Sequence, residues 1–271
     1  MLDKINRVSY NNIMAYIDRE KQILDILKET PTLTVQALTR QLYASEATIR
    51  RDLRKLEEKE LIIHSYGKIT LVNTSADKTV GLNFRENLQN PVKQKLAQTA
   101  ISKYVNNGDV IMLDASTTAM NAVPFLAKYN DIIVVTSGLK TSLLLSQTEI
   151  KFYSTGGRAI NSSYSYIGQT AIDTLKHFNA DVCFVSCHGL NEDGFATDAS
   201  ERENDVRYTI MQQSKRKVLL LDSSKINKNC WHNLCHISEF DDVFCNQPLP
   251  EHIQSKVKNF HLVGDLPLEI D

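Results

Sequence analysis

Hydroxyl and carboxylate side chains follow an apolar run in the middle of the chain, in the segment VIMLDASTTAM. Residues 110–113 are hydrophobic and predict a buried strand, and Asp114, Ser116, Thr117 and Thr118 fall where a helix would begin. Helix N-termini that follow such strands bind phosphate. Because a carboxylate repels phosphate, we expect Asp114 to bond sugar hydroxyls or to cap the helix. The segment predicts a site for a phosphorylated small molecule.

Other apolar runs are also followed by residues that suit an anion. Gly156 and Gly157 allow a backbone to approach closely, and Arg158 could pair with a negative charge. Lys225 follows the run KVLLLDSS. Each residue type also occurs in ordinary caps and turns, so the prediction depends on several of them meeting at one edge of a sheet.

A second chemistry is indicated by a cationic helix pattern at residues 45–56. Ile49, Leu53 and Leu56 share one face of that helix. The opposite or flanking positions hold Ala47, Thr48, Arg50, Arg51, Arg54 and Lys55. Small residues permit close approach to a major groove, Arg can bond guanine, and later cations meet phosphates. A solvated, salt-bridged helix face is the alternative, and the acidic residues after position 56 fit it.

The elements around this helix favour DNA binding. An apolar helical pattern ends at Pro31, Thr34 is a good N-cap for a second helix, and Ser45 caps the third. Two alternating segments around Gly67 then predict a hairpin. This order predicts a winged helix-turn-helix domain at residues 14–72, preceded by a weakly structured tail at residues 1–13.

The segment from LTVQAL to KITL resembles the N-terminal signature of DeoR-type bacterial transcription repressors. Its core, Ser-x-x-Thr-Ile-Arg-Arg-Asp-Leu, is matched from Ser45 to Leu53. The resemblance implies that Thr48, Arg50 and Arg51 belong to a recognition helix for double-stranded operator DNA. The family's wing is Arg-rich, and Lys68 would supply its cation here. The predicted DNA contacts are Thr34, Ser45, Ala47, Thr48, Arg50, Arg51, Arg54, Lys55 and Lys68.

Beyond a polar linker at residues 73–91, the chain alternates between strand and helix patterns up to residue 271. The strand runs are DVIMLDA, DIIVVTS, IKFYSTGG, DVCFVSCHG and KVLLLDSSK and, more weakly, DDVFCN and FHLVG. Strands that are apolar throughout and separated by helices predict a parallel α/β sheet covered on both faces. Ligands of such domains bind at the carboxyl ends of the strands.

The resemblance to the DeoR-type family continues across nearly the whole chain after Thr79. LDASTT and VVTSGL match two family loops, with Ser137 in place of the usual Asn, and Arg85 and Lys93 match an Arg and a Lys before the first strand. The segments STGGRAINSSYSYIG, ADVCFVSCHGL, GFATDASERE and LLLDSSK match further blocks. The family's effector domain resembles the ribose-5-phosphate isomerase fold and typically binds a phosphorylated sugar, which releases DNA. The resemblance implies that Thr136 and Ser137 line the effector site.

Composition is compatible with this organisation. A chain of 271 residues suggests two domains, and 42% hydrophobic with 23% charged residues is typical of a globular protein. Residues 1–75 hold 12 basic and 10 acidic residues, so any DNA binding depends on a local stripe of charge. No apolar run approaches the roughly 20 residues of a membrane span, and no signal peptide is recognisable. We therefore expect a cytoplasmic protein without a membrane partner.

The five cysteines do not predict a disulfide framework, because their number is odd and no CxxC occurs. The segment CWHNLCH holds Cys230, His232, Cys235 and His236, but its spacing matches no closed zinc pattern. We expect neither a metal nor a cofactor.

The effector domain could sense its ligand or transform it. Aldose–ketose isomerisation needs a base and a group that stabilises an enediolate, for which Asp181, Asp198, Glu201 and Lys225 are candidates. Recognition of sugar hydroxyls needs acidic residues equally, and an appended winged helix favours regulation. We expect a non-enzymatic sensor with Asp198, Glu201 and Lys225 as ligand contacts. The alternatives are an isomerase-like enzyme and an activator that binds DNA only with its ligand.

A homo-oligomer, either a dimer or a tetramer, is expected as well. One short helix reads too few bases, and two half-sites match two-fold protein symmetry.

Overall fold

The computed structural model describes residues 19–27, 30, 32–58, 61–65, 68–71 and 90–264. The predicted tail at residues 1–13, Gly67 and nearly all of the predicted linker lie outside these ranges. The chain divides into two compact units, residues 1–84 and 85–271, and each is described by itself.

The N-terminal unit has the predicted order of helices followed by a hairpin. Its described elements are α1 (residues 19–27), β1 (Thr32–Thr34), α2 (Val35–Gln41), α3 (Glu46–Glu58), β2 (Ile62–Ser65) and β3 (Lys68–Leu71). The antiparallel sheet has the order β1-β3-β2, and β1 was not predicted. Strand β1 pairs with the hairpin over only three residues, too few to show an alternating pattern in sequence.

The apolar stripes of three helices meet in the core of this unit. Ile23 and Leu27 of α1, Leu38 of α2 and Ile49 of α3 are fully buried there. Leu33 is partly buried against the same cluster, as expected of a staple residue before the cap of α2. The apolar residues that recur at helical spacing in the sequence are therefore the residues that pack the helices of this unit together.

The C-terminal unit alternates strands and helices. Its helices are α4 (Asn90–Tyr104), α5 (Thr117–Met120), α6 (Val123–Leu126), α7 (Leu139–Leu145), α8 (Gln169–Leu175), α9 (Glu201–Gln212) and α10 (Glu251–Gln254). Its first strands are β4 (Val110–Leu113), β5 (Ile133–Thr136), β6 (Lys151–Ser154), β7 (Arg158–Ile160), β8 (Ser165–Ile167) and β9 (Ala180–Val185). The remaining strands are β10 (Gly189–Leu190), β11 (Phe195–Asp198), β12 (Ser214–Leu221), β13 (His232–His236), β14 (Asp242–Cys245) and β15 (Phe260–Leu262). Helix α4 begins at Asn90, one residue before the predicted end of the linker at residue 91.

Seven strands form one parallel sheet with the order β15-β14-β12-β9-β4-β5-β6. These are the seven strands predicted from the apolar runs. Along β9, Cys183 and Val185 join one hydrophobic cluster while Val182 and Phe184 join the other. Both faces of the sheet are therefore covered at its inner strands, which explains why these strands are apolar almost throughout, whereas the edge strands β6 and β15 keep exposed residues.

Two small antiparallel sheets accompany the large one. Strands β10, β11 and β13 form the first, and β7 pairs with β8 in the second. Among the described residues, none of the helices has the length and apolar character needed to cross a membrane.

Candidate DNA-binding and ligand-binding sites

Helix α3 buries one face and exposes the other. Ile49, Leu53 and Leu56 are at most 2% exposed. The remaining predicted positions, all at least partly exposed, are Ala47, Thr48, Arg50, Arg51, Arg54 and Lys55. The side chain of Arg51 is 65% exposed. The exposed face has a small residue in its first turn and cations in the next two, which suits a major groove.

Ser45 and Thr48 fix the start of α3. The Ser45 hydroxyl accepts a hydrogen bond of 3.2 Å from the Thr48 backbone N–H, and the two hydroxyls lie 2.8 Å apart. Because the cap satisfies a free N–H of the first turn, it holds the end of the helix that would enter the groove.

Arg50 pairs with Glu46 one turn earlier. Its Nε and Nη2 lie 2.9 and 2.7 Å from the same Glu46 oxygen, and both side chains are more than half exposed. Such a pair contributes little stability in water. The Arg50 guanidinium could therefore exchange Glu46 for a phosphate at low cost.

Asp52, part of the signature run, is buried inside the unit. Its side chain has no exposed surface, and its Oδ2 lies 2.5 Å from Nε of Arg19 in α1. This ion pair connects the first helix to α3. The aspartate of the motif holds α3 against α1 and does not contact solvent.

Strand pairing brings two other predicted residues together. Lys68 is the first residue of β3. It lies opposite Thr34 of β1 on one side and opposite Ser65 of β2 on the other. The Thr34 hydroxyl caps α2 by accepting from the Ala37 N–H at 3.2 Å. Nothing is described of the Lys68 side chain, so its contact with DNA stays a prediction.

In the C-terminal unit, the predicted ligand residues follow strands that are neighbours in the sheet. Strands β12, β9, β4, β5 and β6 are adjacent and parallel, so the loops after them lie at one edge. We define the ligand rim as residues 114–118, 136–137, 186 and 222–225. The rim collects most of the predicted effector contacts.

Two lysines converge on adjacent threonines of the rim. Lys93 of α4, only 3% exposed, donates from Nζ to Thr117 Oγ1 at 3.1 Å. Lys225 donates to Ser186 Oγ at 2.7 Å and to Thr118 Oγ1 at 3.4 Å. Ammonium and hydroxyl donors from three elements thus surround one short loop, and phosphate oxygens accept from such groups.

Asp222 supplies negative charge beside these lysines. Its Oδ2 lies 3.2 Å from Lys225 Nζ. Burial opposes ionisation of Asp222, but the charge of Lys225, the Ser224 hydroxyl and the charge of Lys93 outweigh it and hold the pKa of the carboxyl below its usual range. The carboxylate therefore stays ionised and partly offsets the two cations.

Arg207 of α9 joins two loops through a buried ion-pair network. Its Nε donates to Asp114 Oδ2 at 2.7 Å, and its Nη1 donates to Asp198 Oδ2 at 2.9 Å and to Asn204 Oδ1 at 2.7 Å. His188 Nδ1 lies 2.8 Å from the other Asp198 oxygen. Burial disfavours both charged forms, yet the mutual attraction lowers the pKa of Asp198 and raises that of Arg207.

Both oxygens of Asp114 are used inside the protein. Oδ1 accepts from the Ser116 N–H and hydroxyl at 3.0 and 2.5 Å, and Oδ2 accepts from the Ser186 N–H and from Arg207. Ser116 in turn caps α5 through the Ala119 N–H. Because a carboxylate has about four acceptor sites, this occupancy favours a positioning role for Asp114. Its predicted bond to a sugar hydroxyl stays a prediction.

The other predicted residues occupy varied positions. Thr136 is buried and accepts from the Gly138 N–H at 3.0 Å, and Ser137 is 3% exposed. Gly156 and Gly157 have φ values of +63° and +103°, and a Cβ on Gly157 would lie 2.8 Å from the Ile167 oxygen. Gly157 therefore serves packing of the β7–β8 hairpin as well.

Arg158 and Glu201 have exposed side chains, at the starts of β7 and α9. Within the described part of the chain, no hydrogen bond or ion pair joins Arg158 or Glu201 to Lys93 or Lys225. Their roles stay predictions.

One catalytic candidate lies at the wrong edge of the sheet. Asp181 is the second residue of β9, where it accepts from the Val110 N–H at 2.9 Å and pairs with Lys215 at 2.8 Å. The rim is at the opposite, carboxyl end of β9. The sequence located Asp181 next to an apolar run but did not distinguish the start of the strand from its end.

The histidines and cysteines of CWHNLCH are separated by strand alternation. Cys235 is buried in β13, whereas His232 bonds Asn204 and His236 bonds Ser238. In the ranges that the structure describes, no three His, Cys, Asp or Glu side chains are grouped as metal ligands.

A small cavity lies beside the rim. It has a volume of about 10 Å³, enough for one water, and Asp114, Ser137, Glu203 and Arg207 are among its lining residues. A sugar phosphate does not fit this space as it stands.

Sequence reasoning missed Arg207 as part of the site. Arg207 shares a helix face with Ile210 and Met211, which are buried. An arginine on an apolar helix face is a signal of a buried ion pair, since a buried charge needs a partner. Lys93 was indicated only by the family resemblance, because nothing in its local pattern distinguishes it from other lysines of α4.

Comparison with known families agrees with both units. The DeoR-like helix-turn-helix domain matches residues 19–75, and the DeoR C-terminal sensor domain matches residues 89–247. This chain belongs to the DeoR family. It is thus a DNA-binding regulator of transcription by family, with an N-terminal helix-turn-helix and a C-terminal parallel α/β sensor domain.

Individual relatives are regulators as well. The HTH-type transcriptional regulator YulB of Bacillus subtilis is 30% identical over 234 residues, covering 85% of this chain and 87% of YulB. The repressor GlcR of the same organism is 30% identical over 225 residues, covering 83% and 86%. The glycerol-3-phosphate regulon repressor of Escherichia coli is 24% identical over 254 residues, covering 93% and 100%.

Solved structures similar to this DeoR-family chain include an enzyme and a regulator. Ribose 5-phosphate isomerase A of Methanocaldococcus jannaschii has a TM-score of 0.38 at 18% identity, covering 51% of this chain and 55% of the isomerase. The full-length sorbitol operon regulator SorC of Klebsiella pneumoniae has a TM-score of 0.37 at 10% identity, covering 90% and 94%.

Proposed function

We propose that this protein represses carbohydrate-metabolism genes in the cytoplasm by binding operator DNA as a homo-oligomer through α3, and that a phosphorylated sugar bound at the ligand rim releases it. The observation that carries the proposal is the convergence of Lys93 and Lys225 on the adjacent hydroxyls of Thr117 and Thr118.

The geometry of α3 supports the DNA half of the proposal. The helix exposes Ala47 and Arg51, its start is fixed by Ser45, and Asp52 anchors it to α1. A rigid helix with a narrow, cationic leading face can place an arginine against guanine edges. Because the unit is not strongly basic as a whole, specificity depends on this face.

The chemistry of the rim supports a phosphorylated ligand over a neutral sugar. Two ammonium groups and several hydroxyls are all donors, and a phosphate dianion accepts from all of them. The rest of the ligand would lie toward the loops that Arg207 holds, where Asp198 and His188 bring polar atoms. The relative that represses the glycerol-3-phosphate regulon supports a small phosphorylated polyol as the chemical class.

The small cavity beside the rim supports a switch. The cavity borders Asp114 and Ser137 and is too small for a sugar phosphate, so in this proposal a ligand that extends from the rim lysines into it displaces the loops that carry these two residues. A ligand can shift an equilibrium only if the two states bind it differently. Loop displacement supplies that difference.

The alternative is an isomerase-like enzyme. The low pKa of Asp198 disfavours it, because a strongly stabilised carboxylate is a weak general base. Turnover of ribose-5-phosphate-like substrates by the purified protein, lost in a Glu201→Gln variant, would favour the enzyme.

The outer edge of the sheet supports a second copy as partner. Leu139, Leu143 and Leu144 of α7 are 36%, 62% and 36% exposed, and Tyr153 of the neighbouring edge strand β6 is 41% exposed. Apolar surface beside a sheet edge is typical of interfaces. A copy related by a two-fold axis would pair β6 with β6, and the charges of Glu149 and Lys151 near this edge are opposite in sign.

A thermal-shift screen of the purified chain against phosphorylated sugars and their unphosphorylated forms tests the effector half. A ligand that binds the folded state raises the apparent melting temperature. We expect a shift only with phosphorylated compounds. A response to neutral sugars alone would contradict the proposal.

A further inference from the structure

The turn between α2 and α3 contains a tyrosine in an unfavourable backbone conformation. Tyr43 has a φ of +49°, in the left-handed region that bulky residues rarely adopt. Its side chain projects into solvent, with 97% of the residue exposed. A strained conformation and an exposed aromatic ring coincide at one residue.

The surrounding turn requires this conformation. Leu42 N–H donates to Leu38 O at 2.9 Å, Ala44 N–H donates to Thr39 O at 3.4 Å, and Leu42 and Ala44 pack against the core of the unit. With both neighbours held, the residue between them must turn through left-handed space. Glycine or asparagine would adopt it with less strain.

Packing does not account for the tyrosine either. A ring that is almost fully exposed contributes no buried apolar area to folding. A strained residue whose side chain does not stabilise the fold indicates a function for that side chain.

The location of Tyr43 indicates which function. It lies two residues before Ser45, the cap of α3, and the first residues of a recognition helix are those that enter the major groove. The sugar-phosphate backbone borders that groove, and a tyrosine hydroxyl is one of the groups that bond phosphate oxygens.

We propose that Tyr43 is a DNA-backbone contact whose phenol hydroxyl donates a hydrogen bond to a phosphate beside the groove that α3 enters. This inference rests on the proposed operator binding by α3. The contact is neutral, so it adds a hydrogen bond without the counterion release that an arginine or lysine contact causes.

The test uses the full chain and a DNA duplex that the wild-type protein selects from a random-sequence pool. Tyr43→Phe keeps the ring and the backbone strain but removes the hydroxyl. We expect its affinity to fall about 2- to 12-fold, as for one neutral hydrogen bond, with an unchanged slope of log affinity against log salt. Tyr208→Phe, which alters a half-exposed tyrosine of the other unit, is the matched control and should bind as wild type.

A second variant separates function from folding. Tyr43→Asn relieves the strain, so it should melt at a higher temperature than wild type while binding the duplex more weakly. Opposite changes in stability and affinity are not expected of a residue that only forms the turn.

Two results would overturn the inference. One is wild-type affinity in Tyr43→Phe, and the other is a lower melting temperature in Tyr43→Asn. Arg51→Ala in the same titration distinguishes the two failures. If Arg51→Ala weakens DNA binding while Tyr43→Phe does not, only the proposed tyrosine contact is wrong. If neither variant weakens DNA binding, the proposed operator binding by α3 is wrong as well.

Discussion

Lys93 and Lys225 reach the same loop from different parts of the chain. Lys93 projects from α4, and Lys225 ends the short 3₁₀ turn at Ser223–Lys225 that follows β12. Hydroxyls after a strand often cap helices, as Ser116 does here. A buried lysine, Lys93, and a partly buried one, Lys225, lie beside Thr117 and Thr118, which is more than a helix cap needs.

Lys225→Met should weaken the release of DNA by the effector while the DNA affinity without effector stays at the wild-type value. The variant loses a charge-assisted hydrogen bond, so the half-maximal effector concentration should rise about 10- to 150-fold. Lys215→Met is the matched control, since Lys215 lies near the start of β12 and Lys225 lies in the turn that follows the end of that strand. A Lys225→Met protein that responds like wild type would exclude Lys225 from the site.

Arg51→Ala should weaken binding to a selected duplex by about 1–3 kcal/mol if Arg51 bonds a base edge. Its side chain is largely exposed, so its removal should leave the fold unchanged. Lys176→Ala removes an exposed cation from the other unit and serves as the control. Equal affinities of wild type and Arg51→Ala, measured at one salt concentration, would refute the assignment.

Among the secondary-structure elements, those with a strong apolar pattern were predictable. All seven strands of the large sheet are confirmed, and for the inner strands the reason is that a buried parallel strand needs a continuous apolar run. The faces of α3 are confirmed as well, because one stripe of three residues meets the core. In both cases the apolar residues recur in the sequence at the positions whose side chains the fold buries.

The small sheets were not predictable from the same signals. Strand β11 pairs with β13, about 35 residues further on, and β10 has only two residues. Short strands show no period, and their partners are chosen by tertiary contacts. The segment CWHNLCH therefore gives no sign in sequence that residues 232–236 form an edge strand of this sheet.

The residues of the candidate ligand site also divide into those that a local sequence pattern indicates and those that only tertiary contacts identify. Thr117, Thr118 and Lys225 could be found because they follow apolar strands. Arg207 and Asp222 could not be assigned, since their role depends on which loops α9 and β12 approach. Sequence located the edge of the sheet, and the structure determined which groups meet there.

The network of α9 and the rim predicts a pH dependence of stability. The folded-state pKa of Asp198 is depressed below its unfolded value of about 3.9, so its contribution to the free energy of unfolding is present above that value and lost as pH falls through the folded-state pKa. Unfolding by urea should show wild type losing its advantage over Asp198→Asn below about pH 4.

The exposed Asp193, in the loop before β11, provides the control. Asp193→Asn should follow wild type in parallel at every pH. A constant difference between wild type and Asp198→Asn down to about pH 2 would show that Asp198 is not stabilised as an ion.

For the whole molecule, the exposed leucines of α7 give the proposed homo-oligomer a testable surface. Leu143→Lys places a charge at the centre of that surface and should shift sedimentation equilibrium toward monomer, because an unpaired charge is costly in an apolar interface. Leu262→Lys is the control, since Leu262 is 56% exposed on the opposite edge strand β15. Dissociation by Leu262→Lys and not by Leu143→Lys would assign the interface to the other edge.

Regulation requires that the two ligands of the chain be coupled. If a phosphorylated sugar lowers DNA affinity by some factor, DNA must lower sugar affinity by the same factor. A Lys225 variant should therefore lose sugar binding and keep DNA binding, and an Arg51 variant should do the reverse, while both keep the fold.

In the proposed function, a phosphorylated sugar at the ligand rim releases DNA from α3. The direct measurement is the affinity of the full-length chain for its selected duplex during titration with the phosphorylated sugar that raises its melting temperature. We expect the affinity for DNA to fall at saturating phosphorylated sugar and to stay unchanged with the unphosphorylated form. An unchanged or increased affinity at saturating phosphorylated sugar would contradict it.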